Sequence, residues 1–286
     1  MKKYLLTISV LLLFQLTYAQ SSLNIMTFNL RLNTPADSAN SWPFRKDLVA
    51  RQILSHQTDI VGVQEALNDQ MEDLKERLKN YASIGVGRED GKTKGEYSAI
   101  FYNTDRLQML NHATFWLSET PDKAGSRGWD AALPRIVTWG LFKDLKSGKE
   151  FYAFNTHFDH MGKTARKESA LLLMKKVNEI AGNKPVVITG DFNAIPADEP
   201  IRLLLDPENP LHFIDSKAIS KTAHSGPEGT FNNFVFNNPK QERIDYIFIK
   251  NGISVLNHAT LVESSNNRYT SDHFPVFAQI VLPTTY

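Results

Sequence analysis

The 286-residue sequence contains no cysteine and almost no net charge, with 32 Lys and Arg against 31 Asp and Glu. The lack of cysteine excludes disulfides, thiolate metal sites, cysteine nucleophiles and a lipidated N-terminal cysteine. The balanced charge excludes a polybasic protein that binds nucleic acid mainly by charge along its length, and it excludes an acidic disordered protein. With 42% hydrophobic residues, the chain has the composition of a globular protein that can bury a sizeable core.

An apolar run, Leu5 to Leu16, follows two lysines at the N-terminus and precedes Thr17-Tyr18-Ala19. This order of a basic segment, a short apolar segment and small residues is typical of a secretory signal. The run is shorter than the roughly 20 apolar residues that span a bilayer, which favours a cleaved signal over an uncleaved membrane anchor. We therefore expect residues 1–19 to be removed near Ala19 and the exported protein to be periplasmic or extracellular.

Residues 20–286 contain no low-complexity tract, charge block or Pro/Ser-rich linker, and we interpret them as one domain. Apolar runs alternate with amphipathic segments, which favours an α/β fold with helices outside sheets. A helix over 44–57 and another over 162–181 each lead into an apolar strand that ends in an acid, DIVGVQE and PVVITGDFN. The repetition predicts two pseudo-symmetric halves with Glu65 and Asp191 at corresponding strand ends, where active sites of α/β proteins tend to lie.

Acids and amides that end these strands are the first candidate site residues. Asp191 and Asn193 follow Gly190 and lie two residues apart, so an extended chain places both on one side; a strand-ending turn is the alternative. Glu65 follows an apolar run and needs a partner, because a lone buried charge is costly. A metal ion would serve, and so would a salt bridge or a helix N-cap contact. Asn29, which ends the first strand, is a candidate ligand or a turn residue.

A histidine lies near the end of the strand FYAFNTHFDH. His157 shares one face with Asn155 and Asp159, because alternate residues of a strand point to the same side. It could donate to a phosphoryl oxygen, and a satisfied, partly buried histidine is the alternative. His160 is one residue off this face and stays unassigned.

Asp245 alternates with isoleucines in an otherwise apolar strand, so we expect it to be buried on their face. A buried carboxylate needs a donor or a cation, and the sequence offers Arg243 or a histidine. His273 supplies that histidine. Adjacent residues of a regular strand face opposite ways, so Asp272 and His273 can enter one site only from an irregular turn, which Pro275 makes plausible.

These residues form an oxygen-rich set with two histidines and no thiol. Carboxylate and amide oxygens suit Mg²⁺ or Mn²⁺ better than zinc. The absence of His-x-x-x-His and cysteine ligands likewise disfavours a zinc hydrolase. A hard divalent ion, a water-activating acid and histidines beside an anion are what phosphoester hydrolysis needs.

In their order along the chain, these motifs resemble the endonuclease/exonuclease/phosphatase superfamily, over residues 22–282. The motifs are Asn29, Gln64-Glu65, Thr156-His157, Gly190-Asp191-Phe192-Asn193, Arg243-Ile244-Asp245-Tyr246 and Ser271-Asp272-His273. The segment from Phe115 to Asp130, with Arg135, is similar to secreted bacterial members that are distantly similar to the carbon-catabolite-repressor and nocturnin nucleases.

The resemblance implies a four-layer α/β sandwich, with two mixed sheets face to face between helices and the site at one edge. Carried over by position, Glu65 would bind Mg²⁺, for which Mn²⁺ is a possible substitute. Asn29 and Asp272 would complete or support the metal shell.

The resemblance also implies catalytic roles. Asp191 would orient or deprotonate the attacking water, and Asn193 and His157 would hold phosphate oxygens. His273, paired with Asp245, would contact the scissile phosphate as a base or as a cationic stabiliser.

The loop from Ser118 to Pro134 is long for a connection, and such loops are often functional. Arg135 could lie near the substrate phosphate, and Trp129 could stack on a base or cap a pocket. The alternative is that Trp129 packs the loop down while the basic residues are solvated. The stretch Thr222 to Asn238 carries a similar pair of alternatives, lining the cleft or ordering a long loop.

The sequence therefore predicts a secreted, Mg²⁺-dependent hydrolase that cleaves phosphoesters by in-line attack of water, with nucleic acid or nucleotide phosphodiesters ranked first. A phosphatase or a sphingomyelinase-like phospholipase C acting on small, sugar or lipid phosphates is the alternative. A catalytically inactive binding relative is the alternative from another class, although the intact set of acids and histidines argues against it. The near-zero charge disfavours tight binding along a long nucleic acid duplex, so we expect small or single-stranded substrates. Separately, we expect no stable protein partner and a monomer.

Overall fold

The computed structural model describes residues 21–237 and 242–284. The predicted signal segment, residues 1–19, lies outside these ranges. Asn238, the last residue of the stretch Thr222 to Asn238, also lies outside them. Within the described ranges, no helix has the length and apolar character needed to cross a membrane.

The described residues form fourteen strands and four α-helices. The strands are β1 (Ser22–Asn29), β2 (Ile60–Ala66), β3 (Tyr81–Ile84), β4 (Tyr97–Asn103), β5 (Leu107–Trp116), β6 (Ile136–Asp144), β7 (Glu150–His157), β8 (Val186–Asp191), β9 (Ile214–Asp215), β10 (Asp245–Lys250), β11 (Ser254–Thr260), β12 (Ser264–Ser265), β13 (Arg268–Tyr269) and β14 (Val276–Val281). The helices are α1 (Lys46–Ser55), α2 (Asn68–Arg77), α3 (Lys163–Ala181) and α4 (Glu199–Leu205). The helix predicted over 44–57 begins at Lys46 because the 3-10 turn Trp42–Phe44 precedes it.

The strands form two six-stranded sheets of the same plan. The first sheet has the order β11-β14-β1-β2-β4-β3, and the second has the order β5-β6-β7-β8-β10-β9. In each sheet one parallel pair, β1 with β2 or β7 with β8, is flanked by antiparallel neighbours. The predicted α/β sandwich of two mixed sheets is confirmed, and β1, β2 and β4 of one half correspond to β7, β8 and β10 of the other.

Three apolar clusters separate the four layers. One cluster lies between the sheets and includes Ile25, Ile100, Phe142 and Val187. A second joins α1 and α2 to the outer face of the first sheet, and a third joins α3 and α4 to the outer face of the second. Burial of these surfaces at roughly 25 cal/mol per Å² is the main force that holds the layers together.

Strand residues that face the space between the sheets become polar toward one end of the molecule. Toward that end β1 presents Leu23, Ile25, Thr27 and Asn29, β7 presents Phe151, Ala153, Asn155 and His157, β8 presents Val187, Thr189 and Asp191, and β10 presents Ile249, Ile247 and Asp245. Each series follows the two-residue period of a strand. The predicted catalytic side chains of His157, Asp191 and Asp245 therefore continue the rows of the inter-sheet core and meet at one edge.

Candidate active site

Sheet register places the predicted residues side by side. In the second sheet His157 pairs with Asp191, and Asp191 pairs with Asp245 on its other side. In the first sheet Asn29 pairs with Gln64, immediately before the predicted metal ligand. The site therefore forms where the polar ends of both sheets face each other.

Glu65 reaches the cleft because β2 is irregular at its end. The register of β2 against β4 shifts between Val63 and Ala66, and Glu65 has a φ of 62°, in the left-handed region. A bulge of this kind re-aims a side chain that a regular strand would direct to the other face. Glu65 Oε1 accepts from Asn29 Nδ2 at 3.1 Å, and Oε2 accepts from the backbone N–H of Leu32 at 3.1 Å.

Asn29 joins two of the carboxylates. It is fully buried, and its Nδ2 donates to Asp191 Oδ2 at 2.9 Å as well as to Glu65. Its Oδ1 accepts from the backbone N–H of Arg31 at 2.9 Å. The amide oxygen keeps a second lone pair, so Asn29 can support the carboxylates and also serve as a metal ligand.

Asp191 lies at the centre of the site and is almost fully buried. Its Oδ1 accepts from the backbone N–H of Asn193 at 2.9 Å, while Oδ2 lies 3.5 Å from His157 Nε2 and 3.9 Å from His273 Nε2. Burial, and then the charge of Asp245, raise the pKa of Asp191 to about 7. A carboxylate with such a pKa can take a proton from water near neutral pH.

Of the two partners that the sequence offered Asp245, the structure selects the histidine. Asp245 Oδ2 lies 2.9 Å from His273 Nδ1, whereas Arg243 binds both oxygens of Asp215 at 2.7 and 2.8 Å. Burial lowers the pKa of His273, but the charge and hydrogen bond of Asp245 outweigh it and raise the pKa well above its usual value. His273 is therefore a cation that holds Asp245 through Nδ1 and turns Nε2 toward Asp191.

Asn193 fixes the tautomer of His157. Asn193 Nδ2 donates to the backbone oxygen of Phe158 at 3.0 Å and lies 2.9 Å from His157 Nε2, so Nε2 accepts and Nδ1 carries the proton. Nδ1 lies 3.9 Å from Glu96 Oε2 and has no hydrogen-bond partner within the described part of the chain. Burial, and then the charge of Arg135, lower the pKa of His157 well below its usual value, so the ring is neutral.

A buried ion pair beside His157 was missed from the sequence. Arg88 donates to the two oxygens of Glu96 at 2.8 and 2.7 Å, and Glu96 lines the cleft. Burial raises the pKa of Glu96, while the charge of Arg88 opposes the shift. The available signal was that Glu96 directly precedes the apolar strand β4, as Glu65 follows the apolar part of β2.

Asp272 and His273 enter the cleft from a bend before β14. Asp272 Oδ1 accepts from Ser271 Oγ at 3.2 Å, and Oδ2 lies 3.9 Å from Arg31 Nε. Burial raises the pKa of Asp272; the charge of His273 opposes this shift and that of Glu65 adds to it. The irregular turn thus allows both adjacent side chains to serve one site.

The two predicted substrate-binding residues lie in different surroundings. Arg135 is buried in the cleft wall, with Nε 3.3 Å from Asp159 Oδ2 and Nη2 2.9 Å from His160 Nδ1. Arginine only donates, so His160 accepts at Nδ1 and carries its proton on Nε2. Trp129 is half-buried and is not part of the cleft wall formed by described residues; its backbone N–H lies 3.3 Å from each oxygen of Glu119.

The loop that contains Trp129 is tied to α3. Asp130 accepts from the backbone N–H groups of Thr164 and Ala165 at 3.3 and 2.6 Å, in the first turn of that helix. Leu133, near the end of the loop, lines the cleft. The loop is therefore held against α3 and contacts the cleft through its last residues.

The cleft has a volume of about 690 Å³. Its described wall carries seven carboxyl groups and two guanidinium groups: Asp37, Glu65, Glu96, Asp191, Asp198, Glu242 and Asp272, with Arg31 and Arg135. Arg31 is engaged with Asp37 at 2.9 and 3.0 Å. Arg135 is engaged through Nε and Nη2, while its Nη1 is buried without a hydrogen-bond partner among the described residues. Apolar side chains complete the wall, among them Leu133, Ile195, Phe231 and Phe234.

The donor set fits a hard divalent cation. Carboxylate oxygens of Glu65 and Asp191 lie within 4.8 Å of each other, as do those of Asp191 and Asp245, while the neighbouring His157 and His273 are engaged by Asn193 and Asp245. Asp245 Oδ1 is buried and lacks a hydrogen-bond partner in the described residues. Carboxylates this close repel one another unless a cation or a proton lies among them. A cation bound by oxygen ligands relieves this repulsion.

Residues 26–273 match the model of the Endonuclease/Exonuclease/phosphatase family. An endonuclease/exonuclease/phosphatase from Bacteroides vulgatus is 41% identical, with a TM-score of 0.88 over 92% of this chain and 100% of that chain. A mannosyl-6-phosphatase from Bacteroides thetaiotaomicron is 40% identical, with a TM-score of 0.85 over 91% of this chain and 100% of that chain.

Nocturnin from Drosophila melanogaster is 30% identical over 178 residues, which are 58% of this chain and 26% of that protein. The expected distant similarity to nocturnin and carbon-catabolite-repressor nucleases is therefore confirmed. The chain spans between 26% and 66% of the length of the curated relatives it matches.

Proposed function

This chain belongs to the endonuclease/exonuclease/phosphatase family, whose members hydrolyse phosphoester bonds, and we propose that it is an exported, Mg²⁺-dependent phosphatase of small hydroxylated molecules such as sugar phosphates. The observation that supports the substrate class is the cleft wall, where seven carboxyl groups, two of them paired with Arg31 and Arg88, outnumber three cations, Arg31, Arg135 and the imidazolium of His273. Such a wall repels a polyanion beyond the reacting phosphate, whereas it offers many acceptors to the hydroxyl groups of a sugar. The mannosyl-6-phosphatase at 40% identity supports this choice.

In this proposal Glu65 and Asp272 hold Mg²⁺, with Asn29 supporting them. Mg²⁺, when bound, would neutralise the clustered carboxylates and the substrate phosphate. Mn²⁺ is expected to substitute for it, because it prefers the same oxygen ligands.

The chain's own residues then place the phosphate and the water. Asp191 accepts the proton of the attacking water, since its pKa lies near neutrality. His273 donates from Nε2 to a phosphate oxygen as a cation, and Asp245 keeps its ring in place through Nδ1. On the other side of Asp191, Asn193 holds the ring of His157 through Nε2, and the Nδ1–H of His157, which has no partner among the described residues, donates to a further phosphate oxygen.

Nucleotide or short single-stranded RNA phosphodiesters are the second candidate substrates. The similarity to nocturnin supports them, and so do Phe231 and Phe234 in the cleft wall, where a base could stack. The two classes differ in their response to salt, because binding of a polyanion weakens steeply as salt rises.

The test is a substrate panel with the purified protein and Mg²⁺ or Mn²⁺. It compares mannose 6-phosphate, glucose 6-phosphate, an aryl phosphomonoester, an aryl phosphodiester, RNA, DNA and sphingomyelin. We expect release of phosphate from the sugar phosphates, little dependence on salt, and no turnover by Asp191→Ala or His273→Ala. Turnover that survives both substitutions and chelation would exclude the proposed mechanism. Preferential cleavage of RNA, or of lipid only on vesicles, would assign the site to the other substrate class.

Export after cleavage near Ala19 and a monomeric state belong to the same proposal. N-terminal sequencing of the protein from cells expressing the full chain should begin at Gln20, and size-exclusion chromatography should give a monomer. Intact residues 1–19 in a membrane fraction, or a stable dimer, would contradict these two points.

A further inference from the structure

Four polar side chains lie between the two sheets, directly beneath the site. They are Thr27 of β1, Gln64 of β2, Asn155 of β7 and Thr189 of β8, and all are at most 1% exposed. We call this set the cross-sheet bridge. Apolar side chains fill the space between the sheets on the side away from the site.

Asn155 is the centre of the bridge. Its Oδ1 accepts from Gln64 Nε2 of the opposite sheet at 2.7 Å and lies 3.0 Å from Thr189 Oγ1. Its Nδ2 donates to the backbone oxygens of Val63 and Ala99, both in the first sheet, at 2.8 and 2.9 Å. One side chain of the second sheet thus makes three hydrogen bonds to the first sheet.

Gln64 extends the bridge to a further strand. Its Nε2 lies 3.0 Å from Thr27 Oγ1 and 3.1 Å from the backbone oxygen of Gly62. Gly62 gives the bridge its space, because a Cβ at that position would overlap Thr189 Oγ1 and lie 2.5 Å from Asn155 Oδ1. β1, β2, β4, β7 and β8 therefore meet at one hydrogen-bonded cluster.

Each member of the bridge directly precedes a site residue or lies two positions before it on the same strand face. Thr27 precedes Asn29, Gln64 precedes Glu65, Asn155 precedes His157 and Thr189 precedes Asp191. Apolar packing is non-directional and does not by itself fix how two sheets slide past each other. Hydrogen bonds between the sheets do fix it, because they weaken steeply with misalignment.

We propose that the cross-sheet bridge sets the position of the metal-binding edge, with Asn29 and Glu65, relative to the catalytic edge, with His157 and Asp191. Asn155 and Thr189 are then positioning residues that touch neither substrate nor metal. Displacement of reacting groups by about 1 Å can cost as much as 100-fold in rate, so a small slip between the sheets has a large catalytic effect. The proposal depends on the assignment of both edges to one reaction under the proposed function.

The test compares Thr189→Val and Asn155→Leu with Thr138→Val. Thr138 is an equally buried threonine facing the first sheet near Gly85. Its hydroxyl bonds to Thr114 at 3.1 Å, whereas that of Thr189 bonds to Asn155, the residue that makes the hydrogen bonds to the other sheet. We expect kcat to fall about 10-fold or more in the two bridge variants, with KM changed by less than about 3-fold, because the lost alignment acts on the transition state. Thr189→Ser keeps the hydroxyl and should restore kcat, while Thr138→Val should keep the unmodified value within about 2-fold.

Backbone hydrogen exchange provides a readout that does not depend on turnover. Exchange at 62–65 and 155–157 should accelerate in Thr189→Val and not in Thr138→Val. Equal loss of kcat in the two valine variants, a rise of KM at constant kcat, or unchanged exchange at these segments would overturn the proposal. If the unmodified protein hydrolyses none of the phosphoesters, the proposed function fails, whereas the exchange data still decide whether the bridge aligns the sheets.

Discussion

Replacement of His258 by asparagine should reduce the fall in the unfolding free energy of this protein in mild acid. His258 is 2% exposed in β11, and its Nδ1 lies 2.9 Å from His224 Nδ1. His224 Nε2 lies 3.1 Å from the backbone oxygen of Pro227, which can only accept. His224 Nε2 therefore donates to Pro227, and its Nδ1 accepts from His258 Nδ1–H, an arrangement that holds the buried imidazole of His258 in its neutral form.

The magnitude follows from the depressed pKa of His258. Burial, and then the charge of Arg243, lower this pKa to about 3, against about 6.5 for histidine in an unfolded chain. Between these values the unfolded state binds more protons than the folded state, so stability falls as the pH falls from about 6.5 toward 3. At about 1.4 kcal/mol per pH unit, His258 alone removes about 2 kcal/mol from the free energy of unfolding between pH 7.5 and pH 5.

Urea unfolding at pH 7.5 and pH 5 measures this contribution. The fall in unfolding free energy between the two pH values should be about 2 kcal/mol smaller in His258→Asn than in the unmodified protein. His112, exposed on β5, is the control, and His112→Asn should behave as the unmodified protein does. An equal fall in His258→Asn and the unmodified protein would refute the assignment of a neutral buried imidazole.

Three further changes test other parts of the structure. Arg45→Met should lower the free energy of unfolding, measured with urea, by about 3 kcal/mol. The reason is that the buried guanidinium donates to the backbone oxygens of Leu30 and Thr270 at 2.8 Å each. A loss below about 1 kcal/mol would contradict this expectation. Mn²⁺ should raise the melting temperature of the unmodified protein more than that of Glu65→Gln, and equal shifts would place the ion elsewhere. Gly62→Ala should cost about 2 kcal/mol, because its methyl group overlaps the cross-sheet bridge; unchanged stability would mean that the bridge yields easily.

The alternation of apolar and polar residues predicted much of the fold and the burial of Asp245. The residue pattern alone could not decide between Arg243 and a histidine as the partner of Asp245, because both fit by type, and the pairing with His273 was implied by the family resemblance. Asp215, at the edge of the same sheet, binds the guanidinium and leaves Asp245 to His273. That choice depends on a contact between residues 28 positions apart, which no local pattern encodes.

Other features depend on irregular backbone or on remote packing. Glu65 turns into the cleft through a left-handed residue in a bulge, where the two-residue period no longer holds. Glu96 and Arg88 belong to the site because the chain enters β4 beside the cleft, and the local signal for Glu96 was its position directly before an apolar strand. For Trp129, a loop residue, the position depends on how Asp130 attaches the loop to α3.

The rows of side chains between the sheets have a consequence for how the substrate specificity of this protein could be altered. Under the proposed function, His157, Asp191 and Asp245 lie on strands, where a substitution disturbs the core beneath them, whereas Leu133, Phe231 and Phe234 line the cleft from loops. The loop with Phe231 and Phe234 is hydrogen-bonded to the backbone oxygen of Asp272, so an exchange of this loop would disturb the turn that holds His273. The loop with Leu133 is attached to α3 through Asp130, and a redesign of specificity should therefore begin with this loop.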